Sequence, residues 1–227
     1  MVVIKMDRAT IQRDNILKNS YKLFKKKGFK NTTTREIATS SQINKGLLHY
    51  YYNQKEDIVI EMYSDILNSL YSYVEKNYKG KVKGYAYLAL LNILFYKTMT
   101  FTEESLNFLA EMMSSRELTK VKTEKYVDSY YKIIVDEKIP ITRYQMLLAL
   151  TVAVGAESEL LLSIREGKIK MTYEKLATTV NKIMFTMLKV GEIEIKKIDE
   201  EVKNITKNIE IEEIISYLKE NCKWARE

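Results

Sequence analysis

The residues best equipped for chemistry lie close together. They are Thr33-Thr34-Arg35-Glu36, then Lys45-Gly46-Leu47-Leu48-His49-Tyr50-Tyr51-Tyr52, then Lys55. A short helix carrying Lys, His and Tyr after a tight turn has the shape that enters the major groove of duplex DNA. Other chemistries have less to work with. With one His, His49, and one Cys, Cys222, the chain has no zinc cluster, no Ser/His/Asp arrangement and no Gly-rich phosphate loop. Catalytic residues, a metal and a cofactor are all expected to be absent. Carboxylate pairs are plentiful, as in any charged helical chain, so counting alone leaves a carboxylate-only hydrolase open.

The charge map agrees with a polyanionic partner. Residues 1–58 hold 12 Lys and Arg against 5 Asp and Glu, a surplus of 7 that equals the formal net charge of the whole chain. Residues 59–227 therefore sum to zero. A basic module joined to a neutral body suits phosphate neutralisation with counterion release. A basic arm for anionic lipid would look similar in charge alone. The surplus here is spread through a folded pattern and not a polybasic tail, which favours nucleic acid.

These side chains must be positioned by helices. Only 7 Gly and 1 Pro in 227 residues leave few turns, and 46% apolar content is ample for a core. An all-α fold is expected. Ile16, Leu17, Ser20, Leu23 and Phe24 share one face of a first helix over about 10–27, which Gly28 ends. Thr33 and Glu36 have the spacing of a capping box, opening a short helix to about Ser40. Asn44 is the cap of a second short helix through Tyr50, and Ile37, Ala38, Ile43 and Leu48 lock the pair together. A longer helix from Gln54 to about Tyr78 then joins head to body.

Further helices are expected over about 85–100, 103–114 and 119–136, with Pro140 ending the series. Two long segments follow, Thr142 to Glu166 and Thr172 to Val190. In the first, Ala149, Ala153, Ala156, Leu160 and Ser163 line one side. In the second, Leu176, Val180, Ile183, Met187 and Val190 recur every three or four residues. Such seams suit close helix packing, either inside one subunit or as a four-helix bundle shared by two, and the need of a helix-turn-helix reader for two copies favours the homodimer. Residues 192–227 form a mildly acidic extension, 10 acidic against 7 basic, with a break expected near Asn208 and Trp224 as a candidate anchor. The lone cysteine has no internal partner, no signal peptide is visible, and the longest apolar run, Met146 to Ala156, falls short of the roughly 18 residues a membrane span requires. A cytoplasmic protein with no membrane partner is expected.

Residues Ile16 to Ile58 resemble the tetracycline-repressor (TetR) family of bacterial transcription regulators. The first helix, the Gly-aromatic pair, the Thr-Thr cap, the Ile-Ala pair, the Gly-x-Leu helix and the terminal Tyr-Tyr-x-x-Lys-Glu-Asp-Ile all stand in register. Two positions depart from the pattern: Gln42 where the family usually has Gly in the turn, and His49 where it usually has Tyr. The resemblance implies an N-terminal three-helix helix-turn-helix domain over 1–56, a helical ligand-binding and dimerisation domain over 57–191, and the C-terminal helical extension over 192–227. It also implies DNA-facing roles for Thr34, Arg35, Lys45, Gly46, Leu47, His49, Tyr51 and Lys55. Thr34 and Arg35 sit at a helix N-terminus that favours phosphate, Tyr51 and Lys55 suit backbone oxygens, Lys45 suits a guanine edge and Leu47 a thymine methyl. Gly46 lets the helix approach closely.

The implied activity is that of a dimeric repressor on a palindromic operator of double-stranded DNA, released by a small hydrophobic or cationic molecule. Tyr96, Met99, Phe108, Met112, Tyr130 and Glu157 are the candidate ligand residues, since aromatic, Met and acidic groups can line an adaptable cavity for such a molecule. Core packing is the more usual use of such residues at helical spacing. The alternative is a DNA-binding activator or architectural regulator with no small-molecule ligand, controlled by a protein partner through the extension.

Overall fold

The computed structural model describes residues 8–223, and these are helical without a strand. The helices are α1 (Arg8–Lys27), α2 (Thr34–Ser40), α3 (Lys45–Tyr51), α4 (Lys55–Tyr78), α5 (Gly84–Met99), α6 (Glu103–Met113), α7 (Arg116–Asp136), α8 (Arg143–Arg165), α9 (Tyr173–Met187), α10 (Glu192–Thr206) and α11 (Ile211–Asn221). The all-α expectation holds. Trp224 lies outside the described residues. The chain divides into two compact units, Met1–Ser69 with Ser216–Glu227, and Leu70–Ile215. The dividing points fall inside α4 and inside α11, whereas the sequence suggested boundaries at 56/57 and 191/192.

The first unit is built on α1 to α3 and the start of α4. Ile16, Leu17, Ser20 and Phe24 are buried on α1, at the spacing that puts them on one face. Gly28 ends the helix at φ 84°, a left-handed conformation, with its amide donating to the Phe24 carbonyl over 2.8 Å. Ile37 and Ala38 on α2 and Leu48 on α3 close over this face, and Ile58, Val59 and Met62 on α4 complete the core.

The second unit is organised around α5, which is buried on nearly every side from Ala86 to Met99. It packs against α9 and α10, while α8 lies between α7 and α9. Threonine caps start several of these helices. Thr142 and Gln145 form a reciprocal box at α8, and Thr172 accepts from the Lys175 amide at α9. Helix α7 begins three residues earlier than the sequence pattern suggests, because the Ser115 hydroxyl accepts from the Leu118 amide over 3.4 Å and caps the extra turn. The expected break near Asn208 is present, between Thr206 and Ile211.

In the expected seams of α8 and α9, Ala149, Ala153, Ser163, Leu176 and Val180 are buried, Ala156, Leu160, Ile183 and Val190 are half-buried and Met187 is exposed. A neighbouring apolar stripe of α8, Tyr144, Leu148 and Val152, is also exposed. Helix α8 is long and apolar enough to cross a membrane by length and composition alone, and well under half of it is buried. The same helix carries a polar group inward. Glu157 is 2% exposed and pairs at 2.6 Å with the equally buried Lys122 of α7.

Candidate nucleic-acid interface

The interface is built from two seven-residue helices whose starts are held by side chains. At α2 the Thr33 hydroxyl accepts from the Glu36 amide over 3.3 Å, and Glu36 Oε2 accepts from the Thr33 amide over 2.9 Å. Lys27 bonds the same carboxylate. The Lys27 ammonium, followed by the Thr33 amide and hydroxyl, lowers the Glu36 carboxyl to about 2. Thr34 and Arg35 are therefore fixed as the first residues of α2, Arg35 exposed and Thr34 half-buried.

The turn between the helices is tight. Gln42, where glycine would be the easy choice, adopts φ 54°. Asn44 then caps α3, its Oδ1 accepting from the Leu47 amide over 2.7 Å. A Cβ on Gly46 would lie 3.3 Å from that same oxygen, so glycine here protects the cap as well as thinning the outer face.

Helix α3 has a sharp inside and outside. Leu48 is 1% exposed and points into the core, while Lys45, Gly46, Leu47 and His49 lie outward. Tyr51 is half-buried, its ring edge-on to Tyr50 with centroids 5.4 Å apart. Tyr50 itself is 81% exposed and does not belong to the DNA-facing set expected from the sequence. Its spacing was the available signal, since four residues after Gly46 and three after Leu47 is the same face of a helix. The Nδ1 atom of His49 lies 3.2 Å from the Asn53 carbonyl. That contact places the proton on Nδ1 in the neutral ring and leaves Nε2 as an outward acceptor.

The end of α3 is anchored by α1 and α4. Tyr52 is buried and its hydroxyl donates to Glu61 over 3.0 Å. Arg13 Nε bonds both Glu61 oxygens at 2.9 and 2.8 Å, and its guanidinium lies 5.3 Å from the Tyr52 ring centre. Burial, reinforced by the Glu61 charge, pushes the Tyr52 phenol far above its ordinary range. Lys55 has a role the sequence did not reveal. Its Nζ donates to the carbonyls of Phe29 and Thr32 over 2.6 and 2.8 Å and lies 4.1 Å from the Phe29 ring centre, tying α4 to the α1–α2 turn.

The six candidate ligand residues, Tyr96, Met99, Phe108, Met112, Tyr130 and Glu157, are all buried in the second unit. Two of them touch: the Tyr96 hydroxyl donates to Glu157 Oε1 over 2.9 Å. Burial first, then the Glu157 charge, push the phenols of Tyr96 and Tyr130 upward. Burial lowers the Lys122 ammonium, against the pull of Glu157. Lys122 lies 5.7 and 5.5 Å from the ring centres of Phe95 and Tyr126, so the aromatic and acidic lining already surrounds a cation of the chain's own. An open cleft of about 520 Å³ lies among α6, α7 and α8, lined by Met113, Arg116, Lys120, Leu147, Val154 and Ser158 among others. None of the six candidates lines it.

The sequence model for bacterial regulatory proteins of the tetR family matches residues 16–62, the span that holds α2, α3 and the start of α4. The HTH-type transcriptional regulator QacR of Staphylococcus aureus is 30% identical over 131 residues, covering 53% of this chain and 68% of that protein. The chain belongs to the tetR family. IcaR of Staphylococcus epidermidis, a negative transcriptional regulator of a biofilm operon, is 24% identical over 127 residues, or 56% of this chain and 67% of IcaR. In fold, the chain is similar to Thermus thermophilus FadR, a TetR repressor solved with lauroyl-CoA. The TM-score is 0.56 at 17% identity, over 78% of this chain and 93% of that one. As a tetR-family protein the chain is a DNA-binding transcriptional regulator of helix-turn-helix type, and these relatives are regulators and not enzymes.

Proposed function

We propose that the protein is a dimeric repressor that grips a palindromic operator and is released when a small apolar molecule binds its second unit. The observation that carries the reading is the outward face of α3, where Lys45, Gly46, Leu47, His49 and Tyr50 stand together on a doubly braced helix. Lys45 is assigned a guanine edge, Leu47 a thymine methyl, His49 Nε2 an amino-group donor on a base edge, and Tyr50 and Tyr51 backbone oxygens. Thr34 and Arg35 position the second helix on phosphate. Lys55 contributes positive charge nearby and holds the turn that sets the helix pair.

The exposed apolar stripe of α8, Tyr144, Leu148 and Val152, with Met187 on α9, supports a second copy as its cover. Two heads are what an inverted repeat requires, with half-sites about 34 Å apart or a multiple of that. A cytoplasmic location goes with that work. Two relatives support the reading: IcaR, a negative regulator, supports repression, and FadR, a repressor solved with lauroyl-CoA, supports control by a small apolar molecule. Between the two ligand classes expected from sequence, the Lys122–Glu157 pair favours the apolar one. A cationic ligand would have to displace Lys122, and leaving a buried charge unpaired costs about 3–5 kcal/mol. Coupling would run along α4, the helix that carries Lys55 and Glu61 at its head end.

Control by a protein partner through residues 192–227 is less favoured. The apolar stripe Ile195, Ile198, Val202, Ile214 and Leu218 is already buried by the chain itself. Gel shifts on the DNA upstream of the protein's own gene, with and without apolar candidate ligands, test the proposal. A sequence-selective shift lost on adding a ligand supports it, and no selective shift under any condition refutes it.

A further inference from the structure

The DNA-binding unit is completed by residues from the other end of the chain. Ser216 onward belongs to the same compact unit as α1 to α3. Leu218 and Cys222, four residues apart, are 6% and 0% exposed. The Cys222 thiol donates to Ser69 Oγ over 3.3 Å and lies 3.8 Å from the Asp65 carbonyl. One residue on, the Lys223 amide donates to Asp65 Oδ2 over 2.6 Å. Earlier in α11, Glu213 accepts from the Tyr73 hydroxyl over 2.8 Å. Residue number thus rises along α11 as it falls along α4, and the two helices run antiparallel.

The contacts on α4 form one stripe. Glu61, Asp65 and Ser69 are spaced by four, so they lie above one another on one face of the helix. Glu61 holds Tyr52 at the end of α3 and Arg13 on α1, while Asp65 and Ser69 are held by Cys222 and Lys223, the two residues that follow α11. One turn of helix separates the two grips.

We infer that the end of α11 is a positioning element of the DNA-reading head: by fixing Asp65 and Ser69 it sets the α4 stripe on which α3 is mounted. The C-terminal extension then acts on DNA affinity without using any of the DNA-facing residues named above. It also makes the head a structure closed by two distant segments, so that an N-terminal fragment alone would carry the motif and lack its closure.

The full-length variant Leu218→Ala/Cys222→Ala removes the buried contacts and leaves every charge in place. Amide exchange by mass spectrometry should then accelerate about thirtyfold or more in residues 55–69, while α5 and α8 keep their protection. Affinity for a duplex that the unsubstituted protein itself selects from a random library should fall about tenfold, with the slope of log K against log salt unchanged. Unaltered exchange in residues 55–69 would overturn the inference. So would an affinity loss accompanied by a shallower salt slope, since α11 would then be touching phosphate itself. Two milder variants serve if the double variant does not fold. Asp65→Ala, which removes the acceptor of the Lys223 amide, should give the same pattern at several-fold, and Cys222→Ser, which keeps a donor to Ser69, should recover most of what Cys222→Ala loses. No effect of Asp65→Ala, or Cys222→Ser behaving like Cys222→Ala, would contradict it. The exchange measurement reads the same whether or not the protein proves to be a ligand-released repressor.

Discussion

Gln42 and Lys55 show how far residue type reaches and where geometry takes over. Gln42 stands at φ 54° in the turn before α3. A left-handed conformation costs a residue with a Cβ about 1–2 kcal/mol, so Gln42→Gly should raise the stability of the head by about 1 kcal/mol in thermal or urea unfolding, with α3 unchanged. Lys55 was legible as a basic residue at the start of α4. On sequence alone its loss should weaken all DNA binding and lower the salt slope by about 1. Its partners, the carbonyls of Phe29 and Thr32, were not legible, because backbone acceptors leave no trace in residue identity. The two ammonium–carbonyl bonds change the expectation. Lys55→Ala should destabilise the head by about 2 kcal/mol, and its effect on DNA binding should follow that instability more than the salt slope. A full unit of slope lost at unchanged stability would restore Lys55 to a phosphate contact. Tyr50 was within reach of spacing, yet two neighbouring tyrosines hid which one faces out.

At the scale of elements, caps and stripes were the readable part. Thr33 with Glu36, Asn44 and Gly28 all stand where their spacing put them, since these signals act within four residues. Contacts between distant helices were not readable. Glu157 stood out as the one acid among the candidate ligand residues, but its partner, Lys122, lies 35 positions away on α7. The pair joins α7 to α8 and, through Tyr96, to α5. Glu157→Gln alone should therefore destabilise the second unit by about 3–5 kcal/mol, because it leaves the Lys122 ammonium buried without a countercharge. The double variant Lys122→Met/Glu157→Leu should recover most of that loss in calorimetry. A single variant as stable as the parent would mean that water reaches the pair.

At the scale of the molecule, the sequence localised the positive charge and the all-helical architecture, both being sums over composition and periodicity. It did not locate the dividing points within α4 and α11, since a helix can run without any sequence break through the place where packing partners change. Nor did it pick out the exposed stripe of α8, Tyr144, Leu148 and Val152, beside the seam that Ala149 and Ala153 bury. The exposed stripe bears on the dimer directly: Val152→Glu should yield monomers in sedimentation and reduce operator affinity together, while leaving the helical content as it was. A dimer that survives the charge would place the subunit contact on another face. Whether two copies of the outer face of α3 read one duplex is decided by selection from a random-duplex library. An inverted repeat with half-site centres about 34 Å apart or a multiple should be enriched, and Lys45→Ala should lose preference at one symmetric pair of positions. Enrichment of no sequence, or an identical motif from Lys45→Ala, would contradict that reading.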